Sequence, residues 1–154
     1  MEIWGEGNER DNLKQLIDES GLRESVSLMG ATDKLEKELA DASIFAFSSL
    51  YEGFAMVLTE AMSCGLPVVS YACPYGPDEI VSDNVDGFLV PVGDEEGLTD
   101  RINYLIEQEA VRKSMGLAAL QKSKQYEMDR IIEKWLALFQ ELIEEKRKRV
   151  AGKR

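Results

Sequence analysis

Ser48-Ser49-Leu50-Tyr51-Glu52-Gly53-Phe54-Ala55-Met56-Val57-Leu58-Thr59-Glu60-Ala61-Met62-Ser63-Cys64-Gly65-Leu66-Pro67-Val68-Val69 is the stretch on which the reading of the chain turns. The apolar run Phe45-Ala46-Phe47 just before it reads as a strand that ends at Ser48. Its unbroken apolar character predicts burial on both faces, as in a parallel sheet. From about Ala55 to Cys64 the spacing predicts a helix with Val57, Leu58, Ala61 and Met62 on one face. Gly65 reads as its C-cap, and Leu66-Pro67 redirects the chain into a new strand at Val68.

That order of strand, loop, helix and strand has a chemical consequence. Glu52 falls in the loop at the strand's carboxyl end. Gly53 lets the backbone pass close to a ligand with no Cβ in the way. The unpaired N–H groups and positive dipole end of the helix suit a phosphate. Glu60 lies more than a turn into the helix, among apolar neighbours, where an ionised carboxylate needs donors. Sugar and ribose hydroxyls are donors; phosphates are not. The two carboxylates therefore ask for polyols on either side of a diphosphate, the chemistry of a nucleotide-sugar. The plainer alternative is a surface glutamate before a helix and a solvated one within it.

The remaining elements alternate in the same way. Ile3-Trp4 reads as a short strand, followed by the loop Gly5-Glu6-Gly7-Asn8. A helix is predicted from about Glu9 to Ser20, with Leu13, Leu16 and Ile17 inward and Asn8 or Asp11 as N-cap. Val26–Met29 is the next strand, broken by Gly30, and Thr32 or Asp33 caps a helix over Leu35–Ala40. Val68–Tyr71 and Gly87–Val90 are further strands, and Pro77 suits the first turn of a short helix. Asp94 caps a helix with Leu98, Ile102, Leu105 and Ile106 inward. Two more helices follow, over about Ala110–Lys124 and Met128–Lys146, the last with a wide apolar stripe suited to packing on the sheet or on another domain. Strands alternating with helices predict an α/β, doubly wound parallel sheet, whose ligands bind beyond the strands' carboxyl ends.

Composition narrows the function. The 154 residues are 44% hydrophobic and 31% charged, as in a soluble globular domain. A net charge of -11 argues against general nucleic-acid binding. The stretch 146–154 is instead basic, with Lys146, Arg147, Lys148, Arg149, Lys153 and Arg154 and no acid. It suits an anionic membrane surface, or simply a solvated helix end whose cations favour the dipole. The chain has no histidine, which removes Ser-His-Asp triads, Cys-His dyads and almost every zinc site. Cys64 and Cys73 are expected as reduced thiols of a cytoplasmic protein.

Taken together, IWGEG at 3–7, SSLYEGF at 48–54, EGFAMVLTEAMSCGLPVV at 52–69, CPYGPDEIV at 73–81 and DGFLVPVGD at 86–94 resemble a known family. Glu52 and Glu60, with seven residues between them, look like the E-x7-E signature of retaining glycosyltransferases with the GT-B fold, family four. The resemblance runs to about Ile143. It implies a Rossmann-like, three-layer doubly wound parallel sheet with helices on both faces and extra C-terminal helices. It implies that 1–154 is a single nucleotide-sugar-binding domain, the C-terminal half of such an enzyme, with the N-terminal acceptor domain absent. The implied reaction moves a hexose from a nucleotide-diphosphate sugar to an acceptor hydroxyl with retention, in polysaccharide or glycolipid synthesis.

By the same resemblance Glu52 is the catalytic residue at the donor sugar. Gly53, Phe54, Ala55 and Met56 hold the sugar and diphosphate, and Glu60 takes the ribose hydroxyls. Gly5 and Gly7 border the donor crevice, the loop at 72–81 lines the donor pocket near the sugar, and Gly30, Ala31 and Thr32 lie against the base; an ordinary turn, a turn that merely starts the next helix, and simple capping are the respective alternatives. No cofactor and no metal are implied, and the location is cytoplasmic or peripheral at the inner membrane face. The sequence departs from the pattern in two ways: alanine stands at 55 where glycine is usual, and the family's upstream Arg and Lys have no counterpart. The chain alone is therefore expected to bind nucleotide weakly and to turn over little. Two other classes remain: a receiver-like signalling domain, which wants an Asp where Ser48-Ser49 stand, and a silent interaction module using the Trp135/Phe139 face.

Overall fold

The computed structural model describes residues 1–151, with side chains through Arg149, so Lys153 and Arg154 of the basic stretch lie outside the described residues. The chain divides into two compact units, Met1–Glu38 and the part from Leu39 onward.

The first unit contains β1 (Glu2–Trp4), α1 (Arg10–Glu19) and β2 (Ser27–Gly30), with β1 and β2 paired in parallel. Gly21 takes φ +68°, the left-handed residue that ends α1. Two expectations fail here. Asn8 does not cap α1; Glu9 holds the N-cap position without a side-chain hydrogen bond, and Asn12 donates to its carboxylate instead. Leu13 and Leu16 are not inward: α1 has no buried residue, and Leu16 is 59% exposed. A helix on a two-stranded sheet has too little apolar partner surface to cover its stripe. The Thr32 hydroxyl accepts from the Lys34 N–H at 3.0 Å, a turn just ahead of α2 (Leu35–Ala40) in place of the expected bond from an N–H of the helix itself.

The second unit runs β3 (Phe45–Phe47), α3 (Met56–Ser63), β4 (Val68–Tyr71), α4 (Pro77–Ile80), β5 (Gly87–Val90), α5 (Glu95–Glu107) and α6 (Glu109–Ser123). A 3-10 turn at Lys124–Tyr126 leads into α7 (Met128–Ala151). The three strands form one parallel sheet in the order β3-β4-β5. β4 is central and buried throughout, and its alternating side chains feed two clusters. Val68 joins Leu58, Met62, Ile80 and Ala119. Val69 joins Phe88, Leu105 and Met115. Helices thus cover both faces of this sheet.

β3 is an edge strand with Ala46 exposed, so burial on both faces belongs to β4 and not to β3. Ile106 is also not inward, being 59% exposed, whereas its neighbour Leu105 is buried. Asp94 caps α5 as expected, accepting from the Gly97 N–H at 2.9 Å. The apolar stripe of α7 does not pack on the sheet: Trp135, Phe139, Leu142 and Ile143 are all exposed, with Trp135 and Phe139 in ring contact.

Two close approaches tie the unit together. A Cβ on Gly116 of α6 would meet the Gly65 carbonyl oxygen at 2.3 Å, and one on Gly87 would meet the Val68 carbonyl oxygen at 2.5 Å. Both glycines are there because backbone lies against them. Lys122 of α6 reaches the turn before β5, donating to Ser82 Oγ at 2.7 Å and lying 3.5 Å from the buried Asp86 carboxylate. Asp86 also accepts from the Ser82 N–H at 2.8 Å.

Candidate functional site

The loop from Ser48 to Ala55 leaves the carboxyl end of β3 and opens α3. Glu52 is half-buried in it, and the Ser49 hydroxyl donates to Glu52 Oε1 at 2.7 Å. Ala55 is the N-cap of α3 with φ +60° and ψ +57°, a left-handed conformation that costs a non-glycine residue about 1–2 kcal/mol. The N–H groups of Phe54 and Ala55 donate to no protein acceptor among the described residues. Met56 opens the helix, so its N–H has no intrahelical acceptor either. These donors stand at the positive end of the helix.

A second loop, from the carboxyl end of β4, closes on the first. A Cβ on Gly76 would lie 3.2 Å from the Phe54 carbonyl oxygen and 3.3 Å from Ala55 Cβ. Cys73 is fully buried in this loop; burial pushes its thiol pKa up, and the nearby negative charge of Glu52 pushes it further. Phe54 packs edge-on against Tyr126 at 6.0 Å between centroids, and burial holds the Tyr126 phenol protonated to higher pH than usual. The structure therefore brings Glu52, Gly53, Phe54, Ala55 and Met56 to one mouth with Ser49, Cys73 and Gly76. Cys73 and Gly76 belong to the loop that the family resemblance implies beside the donor sugar; Ser49 was missed as a site residue, and the Ser49-x-x-Glu52 spacing was the available signal for it.

Glu60 differs from its expected setting. It is exposed, and its carboxylate has no protein hydrogen bond or ion pair among the described residues. Its apolar neighbours Leu58, Ala61 and Met62 point to the core on the opposite side of α3. An exposed carboxylate is not desolvated and does not require a protein or ligand donor. Glu60 stands about 6 Å along the axis from Met56 and on the same outer face. There it lines a groove with Ser63, Leu120, Lys124 and Tyr126.

Gly5, Gly7, Gly30 and Thr32 all belong to the first unit. The Gly5 N–H donates to the Gly30 carbonyl at 2.8 Å, Gly30 has φ +82°, and nothing crowds Gly5 or Gly7. No group of three or more Cys, Asp or Glu residues is placed to hold a metal ion among the described residues, and no described helix is long and apolar enough to cross a membrane.

Parallel strands with helices on both faces, and a helix N-terminus open at the strands' carboxyl edge, define a Rossmann-like α/β protein of the nucleotide-binding kind. The chain belongs to the family described as Glycosyl transferases group 1, which matches residues 1–122. An exopolysaccharide phosphotransferase of Streptomyces coelicolor is 38% identical, over 93% of this chain and 15% of its own length. The amylovoran biosynthesis glycosyltransferase AmsD of Erwinia amylovora is 35% identical, over 86% of this chain and 37% of its own. Among solved structures, a variant of Staphylococcus aureus TarM in complex with fondaparinux, alpha-GlcNAc-glycerol and UDP superposes with a TM-score of 0.83. It is 32% identical, over 90% of this chain and 28% of its own. The chain thus spans well under half the length of these relatives.

Proposed function

We propose that this chain is the donor-binding domain of a retaining glycosyltransferase, which moves a hexose from a nucleotide-diphosphate sugar to an acceptor hydroxyl in polysaccharide or glycolipid synthesis. One observation carries the reading: the half-buried Glu52 and the free N–H groups of Phe54, Ala55 and Met56 share one mouth at the carboxyl end of β3. A diphosphate at the start of α3 leaves its sugar beside Glu52. It leaves its ribose one helical turn along, beside Glu60. Glu52 holds sugar hydroxyls and supports positive charge developing at the anomeric carbon; the helix N-terminus takes negative charge developing on the leaving diphosphate. UDP in the TarM complex favours a uridine donor.

On this reading residues 1–154 are a single nucleotide-sugar-binding domain. The chemistry uses no metal. An acceptor-binding N-terminal domain completes the enzyme, which works in the cytoplasm or at the inner membrane face, where the basic end of α7 meets anionic lipid. The chain alone binds donor and turns over little.

Calorimetric titration with UDP, UDP-glucose and UDP-N-acetylglucosamine tests this. Saturable binding is expected, weakened at least about tenfold by Glu60→Ala through lost ribose hydrogen bonds. No binding, or binding indifferent to both Glu52→Gln and Glu60→Ala, would favour a silent module that engages a partner through the exposed Trp135/Phe139 face of α7.

A further inference from the structure

We propose that Ser49 is the positioning residue for Glu52, holding one carboxylate oxygen so that the other is presented to the donor sugar. This rests on the donor-site reading above. The Ser49 hydroxyl lies 2.7 Å from Glu52 Oε1 and 3.2 Å from the Tyr51 carbonyl oxygen. A serine hydroxyl carries one proton, and the shorter contact to an anionic acceptor takes it. Ser49 is the only residue hydrogen-bonded to the Glu52 carboxylate among the described residues, and no cation is paired with it. The neighbouring Cys73 thiol adds no competing negative charge, because burial and Glu52 itself favour its neutral form.

A glutamate in a loop has three rotatable side-chain bonds. With Oε1 tied to Ser49, whose backbone leaves the end of β3, the carboxylate is fixed in place and direction. Oε2 remains unpaired and open to a sugar hydroxyl. Without the serine hydroxyl the side chain keeps its charge and loses its aim. The loss should fall on the sugar half of the ligand alone, since the diphosphate is held by backbone N–H groups that Ser49 does not touch.

The test compares UDP with UDP-glucose on the 154-residue chain. Ser49→Ala should weaken UDP-glucose by about 5- to 10-fold, within the range for the net contribution of one hydrogen bond, and leave UDP within about twofold. Ser49→Thr, which keeps the hydroxyl, should restore UDP-glucose to within about twofold of the starting protein. Equal weakening of UDP and UDP-glucose by Ser49→Ala means the hydroxyl only shapes the loop, and overturns the proposal. So does no change in either ligand, or a Ser49→Thr variant that behaves like Ser49→Ala. Failure of the unmodified chain to bind UDP-glucose more tightly than UDP removes the donor-sugar contact itself, and is recognised because it precedes any substitution.

Discussion

Gly116→Ala sets two well-understood effects against each other. Gly116 lies in the middle of α6, and intrinsic propensity alone favours alanine there by about 1 kcal/mol. The structure gives the opposite sign. The added Cβ would stand 2.3 Å from the Gly65 carbonyl oxygen, 3.3 Å from its carbon and 3.4 Å from Pro67 Cδ. Ordinary contact begins near 3.4 Å, so about 1 Å must open between α6 and the turn that ends α3. That turn cannot easily give way. Gly65 sits at φ +77°, its N–H is bonded to the Met62 carbonyl, and Pro67 leads directly into the central strand. If α6 moves instead, the buried Met115 and Ala119 lose contacts in both core clusters. Overpacking of this kind costs about 1–3 kcal/mol, and the atom met is backbone, which places the cost at the upper end.

Net of the propensity gain, we expect Gly116→Ala to destabilise by about 2 kcal/mol, lowering the thermal midpoint by roughly 4–8 °C. Urea unfolding followed by circular dichroism measures it. Ser114→Ala, exposed on the same helix, controls for propensity and should gain a few tenths of a kcal/mol at most, about what the helix scale allows. A Gly116→Ala protein as stable as the parent, or more so, would refute the packing of α6 against the α3–β4 turn.

Other substitutions probe other parts of the fold and site. Lys122→Met leaves the buried Asp86 carboxylate with only the Ser82 N–H, and should cost about 3 kcal/mol in urea unfolding; a loss below about 1 would mean the pair is hydrated. Asp94→Ala removes the bond from the Gly97 N–H at the start of α5 and should cost about 1 kcal/mol by the same measurement. Glu52→Gln removes a negative charge that raises the Cys73 pKa, so the pH at which the Cys73 thiolate forms, followed by its ultraviolet absorbance in a Cys64→Ser background, should fall. Because the folded thiol pKa is raised, the unfolded chain ionises first, and this contribution to stability is lost as pH rises from about 8.5 through the folded value. At Ala55, relief of the left-handed strain opposes loss of a buried methyl, so Ala55→Gly should stay within about 1 kcal/mol of the parent, whereas β-branched Ala55→Val should lose about 2 or more.

Where one stretch of chain supplies both signal and structure, the reading succeeds. Val68–Tyr71 and Gly87–Val90 are strands over the predicted residues, because continuous apolar runs bounded by turn residues leave few other places to go. Asp94, Pro77 and Gly65 do what their types predict, since caps and turns are settled by neighbours in sequence. The reading fails where the answer depends on what lies across space. Leu16 and Ile106 carry the helical period, yet both stay more exposed than covered among the described residues. Phe45-Ala46-Phe47 is as apolar as a central strand, but its place in the order is decided by pairing, which puts it at an edge. Glu60 was placed among apolar residues because they flank it in sequence; a helix turns them to the opposite side. Cys73 meets Glu52 only because two loops from adjacent strands converge.

The contacts that shape the Glu52 mouth share a property. Ser49 to Glu52, Gly76 to Phe54, Phe54 to Tyr126 and the charge of Glu52 on Cys73 are all internal to the second unit, between residues 49 and 126. Below it lies the α3–β4–α6 packing held at Gly65 and Gly116, at the other end of α3 from the open N–H groups. Binding of the diphosphate and sugar should therefore track the integrity of this unit. A substitution such as Lys122→Met lowers stability without touching the mouth, so affinity for UDP measured well below the unfolding midpoint should be unchanged. Ser49→Ala does the reverse, sparing the core and altering the ligand response. Separating those two behaviours distinguishes a preorganised donor site from a surface that merely happens to be acidic and concave.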